Sequence, residues 1–108
     1  MTKVNANIKD VAKELAESIG SDNLEFYLTE DGETGFRQIG SFGVNESEVV
    51  YKVSLDKCYW RDGLENIGLN IDEELNEEGL EALVEYIEQT ELSYATDCRN
   101  GEELSWQN

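Results

Sequence analysis

The sequence predicts an α+β fold of one domain, and three observations predict it. An apolar stripe at helical spacing lies near the start, three segments of strand-like alternation follow, and a second helical stripe begins after residue 76. At 108 residues the chain has room for one modest core, and it contains no proline and no low-complexity linker. Residues 1–108 therefore read as a single domain.

The first stripe is Ile8, Val11, Leu15 and Ile19, spaced by three and four with Ala12 and Ala16 beside them. That spacing puts one apolar face on a helix. Asn5 or Asn7 can cap its start, and Gly20 stands where a helix usually stops. Lys9, Asp10, Lys13, Glu14 and Glu17 fill its wet side.

Leu24, Phe26 and Leu28 then alternate as in a half-buried strand, and Asp31-Gly32 is a tight-hairpin signal. The returning segment, residues 35–44, carries Phe36, Ile39, Phe42 and Val44. Its alternation slips near Gly40, which predicts a bulge there or at Gly43. After a turn at Asn45-Glu46-Ser47, Val49, Tyr51, Val53 and Leu55 alternate against Val50, Lys52 and Ser54.

From Asp56 to Asn70 no periodicity holds, and Gly63 and Gly68 read as loop markers. A second helix follows, capped by Asn76, with Leu80, Leu83, Val84 and Ile87 as its stripe; Gly79 weakens its first turn by about 1 kcal/mol against alanine. Asn100-Gly101 predicts a turn between Tyr94-Ala95-Thr96 and Leu104-Ser105-Trp106, hence a short C-terminal hairpin. The expected order is helix, three-stranded antiparallel meander, helix, hairpin, with both helices on one face of the sheet.

Composition excludes several function classes. Twenty-five acids against eight bases give a formal net charge of −17. A direct nucleic-acid ligand needs clustered Lys and Arg, so neither nucleic acid nor an anionic membrane suits this chain. A basic protein surface does. Histidine is absent, which removes the usual proton shuttle and the commonest zinc ligand. Cys58 and Cys98 fit no metal or redox motif and read as buried or half-buried thiols rather than a disulfide. The first residues lack the apolar core of a signal peptide and no run is long enough to span a bilayer, so a cytoplasmic protein is expected. Calcium-loop spacing is absent from all three acidic loops at Asp56, Asp72 and Asp97. Asn45-Glu46-Ser47 matches a glycosylation sequon that a cytosolic chain would not use. No nucleophile, phosphate loop or metal motif accompanies any carboxylate pair, so no enzyme and no cofactor are expected.

The arrangement of the acids is more informative than their number. Residues 62–98 hold twelve acids and no Lys or Arg. Glu74, Glu77, Glu78, Glu81, Glu85 and Glu88 repeat by three and four along the second helix, so their side chains stand about 5–6 Å apart on one face. Like charges so placed oppose helix formation, and the acids at its end also oppose the helix dipole. Folding alone does not require this conflict. A row of carboxylates resembles a phosphate backbone in sign and spacing, and a basic groove that holds DNA or RNA would accept it. The plain alternative is a solvated face kept for solubility or high salt. Tyr59 and Trp60, within Lys57-Cys58-Tyr59-Trp60-Arg61, form a second candidate contact, since Trp, Tyr and Arg dominate interface energetics. Their alternative is packing beneath the sheet. Trp106 presents the same choice.

The order helix–three strands–helix is that of double-stranded RNA-binding domains. Those domains carry bases at the start of the second helix, where this chain has Asn76, Glu77 and Glu78, so RNA binding is not implied. Small size, high acidity and this element order resemble certain phage-encoded anti-CRISPR proteins. Some of those occupy the DNA-binding or PAM-reading groove of a Cas effector by placing carboxylates where phosphates lie. The resemblance is one of composition and element order and transfers no individual residue. It implies a non-enzymatic inhibitor acting in the host cytoplasm on a basic nucleic-acid-binding protein, with Glu74, Glu77, Glu78, Glu81, Glu85, Glu88, Tyr59 and Trp60 as contacts. A toxin-immunity protein covering the active site of a basic nuclease would share all of these features.

Overall fold

The structure, a computed structural model, describes residues 2–40 and 46–107. It is an α+β domain with three helices, a three-stranded antiparallel sheet and a separate parallel pair of strands. The chain runs β1 (Thr2–Asn7), α1 (Ile8–Ser18), β2 (Leu24–Thr29), β3 (Thr34–Gln38), a 3-10 turn (Glu46–Glu48), β4 (Val49–Ser54), α2 (Lys57–Glu65), α3 (Glu77–Tyr86), a π-helical turn (Ile87–Leu92) and β5 (Leu104–Gln107).

The first helix forms as its spacing predicts. Asn7 is the cap, its side chain accepting from the Lys9 and Asp10 amides at 2.8 and 3.4 Å. Val11, Ala12 and Leu15 are buried. Just beyond the helix, Gly20 takes a φ of 98° and donates its amide to the Leu55 carbonyl, which ties the helix end to the sheet. The Asp31-Gly32 hairpin also forms. Thr29 accepts from Gly32, Thr29 donates to Glu33, and Gly32 is left-handed, the three-residue hairpin loop with a glycine bulge. A Cβ on Gly32 would overlap the Asn5 carbonyl, so β1 packs directly on this turn.

The sheet order is β3-β2-β4, which corrects the expected meander: β4 pairs with β2, not with β3. Burial sets β3 apart from the other two strands. β2 carries the fully buried Phe26 and Leu28, while β3 carries Gly35 and a Phe36 that remains partly exposed. β3, with the least buried apolar surface, takes one edge, and β4, with Val49, Val50, Tyr51 and Val53 buried, takes the other. β3 also ends at Gln38, so Gly40 lies outside it and marks no bulge; Phe42, Gly43 and Val44 lie outside the described residues. The irregularity sits in β4 instead. Leu28 faces Tyr51 while Thr29 faces Val49, so Val50 is the extra residue and both valines are buried.

One face of this sheet joins the core through Phe26, Leu28, Tyr51 and Val53. The opposite face holds a chain of charges. Arg37 lies across from Glu25 and pairs with it at 2.8 Å, stacks over the Tyr27 ring at 5.4 Å, and meets Glu46 at 2.6 Å; Lys52 stands 3.8 Å from the same Glu46.

Two elements went unpredicted. β1 offers only Val4 and Ala6 to the core, too little pattern to see, and its partner β5 is about one hundred residues away along the chain. The two pair in parallel, Thr2 with Leu104 and Lys3 with Ser105. The predicted C-terminal hairpin is thereby reduced to its turn: Asp97 accepts from Gly101 and donates to Glu102, Thr96 bridges Glu103, and the following strand leaves to join β1. The second unpredicted element, α2, occupies the stretch read as loop. Asp56 caps it by accepting from the Cys58 amide at 2.8 Å, Trp60 and Leu64 form its buried stripe, and the left-handed Gly68 closes it. Gly63 is not a breaker there. It is the point where the Tyr86 hydroxyl approaches so closely that a Cβ would stand 2.5 Å from it. The expected order is therefore interrupted by α2 and framed by β1 and β5.

Both cysteines are free, and both are exposed rather than buried, Cys58 on α2 and Cys98 in the last turn. Among the described residues, no helix is long and apolar enough to cross a membrane.

Candidate partner-binding surface

The acidic face begins where Asn76 caps α3 by accepting from the Gly79 amide at 2.8 Å. A Cβ on Gly79 would crowd both Asn76 and Leu75, so the glycine that weakens the turn in isolation makes room for the cap. At about 100° per residue, Glu77, Glu78, Glu81 and Glu85 share one side of the helix, and all four are exposed. Glu77, Glu78 and Glu81 make no hydrogen bond or ion pair among the described residues, and Glu85 accepts only from the Gln89 amide group at 3.0 Å.

Two members of the predicted row fall elsewhere. Glu74 precedes the cap and lies in the connecting segment, because the Asn76 cap starts the helix two residues later. Glu88 is half-buried in the π-helical turn, whose wider winding takes it out of strict register with the α-helix.

The same turn draws Glu91 inward. It accepts from the Tyr51 hydroxyl at 2.7 Å and from Tyr59 at 3.4 Å. Burial, reinforced by Glu91, pushes the Tyr51 phenol far above its ordinary value, and the same two causes raise Tyr59. Both phenols thus stay protonated and hold the carboxylate. Asp97 is 0% exposed and grips Arg99 through both carboxylate oxygens. Asp72 pairs with Lys57 and with Arg61 at 3.4 Å, and the Lys57 ammonium holds its carboxyl below the usual value. The base-free interval therefore contains two kinds of acid. Asp72, Glu91 and Asp97 are built into the fold, and the α3 acids are not.

Of the aromatic pair, Trp60 is 3% exposed and donates its indole N–H to the Ser54 carbonyl, so it belongs to the core and leaves the contact set. Tyr59 is 56% exposed and remains available. Trp106 is half-buried, edge-on to Tyr51 at 6.5 Å.

The sequence pattern did not reveal what α1 places beside the acids. A groove of about 500 Å³ runs between α1 and α3. Its floor is Ala16, Leu80 and Val84; Glu81, Glu85 and Glu88 form one bank, and the other is mixed in charge, Lys9 and Lys13 with Asp10 and Glu17. Neither lysine forms an ion pair with the first bank among the described residues. Leu80, expected in the core, is 41% exposed and lines the groove together with Ala16.

Among the described residues no group of three or more acids or cysteines is placed to hold a metal ion. No family model, curated protein or solved structure matches the chain.

Proposed function

We propose that this protein is a non-enzymatic inhibitor that binds a basic, nucleic-acid-binding protein and occupies the groove where that protein holds DNA or RNA. The observation that carries the reading is the row Glu77, Glu78, Glu81 and Glu85: exposed, on one side of α3, and without an internal cation among the described residues. Five of the chain's bases, Arg37, Lys52, Lys57, Arg61 and Arg99, are engaged with other carboxylates. None is paired with this row. A basic groove would supply the missing cations, and complementary fields of this kind accelerate encounter and select the partner.

Within that class the partner proposed first is a CRISPR–Cas effector, with the protein acting in the host cytoplasm against its DNA-binding groove. The test is a competition assay with an effector panel and with basic nucleases, at several salt concentrations. Charge reversal by Glu78→Lys, Glu81→Lys and Glu85→Lys together is expected to weaken binding and flatten its salt dependence, and nucleic acid is expected to displace the wild-type protein. Unchanged affinity and salt slope would defeat the reading. Capture of a nuclease in place of an effector moves the assignment to an immunity protein.

A further inference from the structure

We infer that the α1–α3 groove is the seat of an amphipathic helix of the basic partner, one with an apolar stripe and a row of Arg or Lys along one edge. The inference rests on the reading of α3 as a surface for a basic protein and names the element that protein would insert.

Three features lead there. The apolar stripe of α3 is wider than the fold covers: Leu83 and Ile87 are buried, but Leu80 is not and Val84 is only half-buried. With Ala16 across from them they make a floor between two helices, the shape that accepts a helix carrying apolar anchors three and four residues apart. The charge on the banks then chooses the occupant. Glu81 and Glu85 stand one turn apart, about 6 Å at the rise of a helix, so bases four residues apart on the incoming helix meet them in step. The far bank carries both signs, Lys9 and Lys13 with Asp10 and Glu17, so the charge preference of the groove comes from the α3 bank.

A second copy of this chain suits the groove less well. The exposed side of α3 that a copy could insert is itself acidic and would face the Glu81 bank with like charge. Interfaces built from opposed like charges are selected against.

The test uses the full chain and three synthetic helical peptides: one with a leucine stripe and an arginine edge, one with the same stripe and a glutamate edge, and one with the arginine peptide's composition scrambled to destroy the stripe. Binding is followed by titration and by amide shifts in the two-dimensional NMR spectrum. The arginine-edged peptide is expected to bind with shifts centred on Ala16, Leu80 and Val84. Leu80→Asp and the pair Glu81→Lys with Glu85→Lys are each expected to weaken it about tenfold, in variants whose spectra show the parent fold. The scrambled peptide binding as well as the striped one would overturn the inference, as would an affinity indifferent to Leu80→Asp. Sedimentation of the chain alone as a dimer that Leu80→Asp dissociates would also overturn it, in favour of a second copy.

Leu80→Asp also separates this inference from the reading beneath it. The substitution keeps every carboxylate and adds one, so pure charge mimicry predicts unchanged or tighter binding to the basic partner. A seated helix predicts loss.

Discussion

The outer face of the sheet and the exposed side of α3 are both dense in charge, yet they are built in opposite ways. On the sheet, Glu25, Arg37, Glu46 and Lys52 alternate in sign and stand within ion-pair distance of one another, with Arg37 also over the Tyr27 ring. On α3, Glu77, Glu78, Glu81 and Glu85 share one sign, and no cation pairs with them among the described residues. In the first arrangement carboxylates hold strands together. In the second, Glu77 and Glu78 favour the start of the helix, while Glu81 and Glu85 repel one another along it and pair with no cation among the described residues. Net charge alone cannot separate the two cases. Partner geometry does.

The contrast is broken most severely on the sheet side. The Arg37 side chain is 7% exposed and is the hub of its network. Arg37→Ala leaves Glu25 half-buried and unpaired, and is expected to cost about 3 kcal/mol in urea unfolding followed by tryptophan fluorescence. Replacing both partners, Glu25→Leu with Arg37→Met, is expected to recover much of that loss, because the penalty comes from the stranded carboxylate rather than from a lost attraction.

A smaller effect tests whether the built-in acids of the base-free interval behave like those of the sheet. Tyr51→Phe removes the hydrogen bond to Glu91 and is expected to cost about 1 kcal/mol at neutral pH. The pH dependence has a definite sign. Burial, then Glu91, raises the Tyr51 phenol in the folded protein, so the folded state holds this proton more tightly than the unfolded chain does. The resulting stability is complete below the unfolded value of about 10 and declines as pH rises above it. The phenylalanine variant lacks that decline, so the gap between variant and parent is expected to narrow above about pH 10. A gap constant with pH would mean the phenol is not held neutral by its surroundings.

The sequence revealed the elements that rest on local pattern and missed those that rest on distant partners. The Asn7 and Asn76 caps, the Gly32 turn and the alternation of β4 from Tyr51 onward, past its bulge at Val50, are each contained within a few residues and were legible. The pairing of β1 with β5 joins the two ends of the chain, and β1's two core residues give no periodicity to detect. The placing of β2 between β3 and β4 is a matter of which strands pair, which alternation within one strand does not encode. Gly63 misled because a glycine required for the close approach of Tyr86 looks the same as one required for a turn. The candidate surface divides in the same way. The acid row was visible as spacing along one helix. The uncovered Leu80, the facing lysines and the burial of Trp60 are products of how α1, α2 and α3 pack, and only the fold displays them.

The smallest expected effect is the most diagnostic, because its sign is opposite to the others. Glu81 and Glu85 are a like-charge pair one helical turn apart. Neutralising both, Glu81→Gln with Glu85→Gln, is expected to stabilise the fold by about 0.5 kcal/mol at low salt, with the gain fading at high salt as screening removes the repulsion it relieves. Glu77→Gln, at the favourable end of the dipole, is expected to do the reverse by a few tenths of a kcal/mol. Should the double variant instead lose stability, these carboxylates hold the fold as Glu25 does, and the difference between the two faces disappears. Should it gain stability while weakening partner binding, the row is kept at the expense of the helix that bears it, and the need for it lies outside the chain.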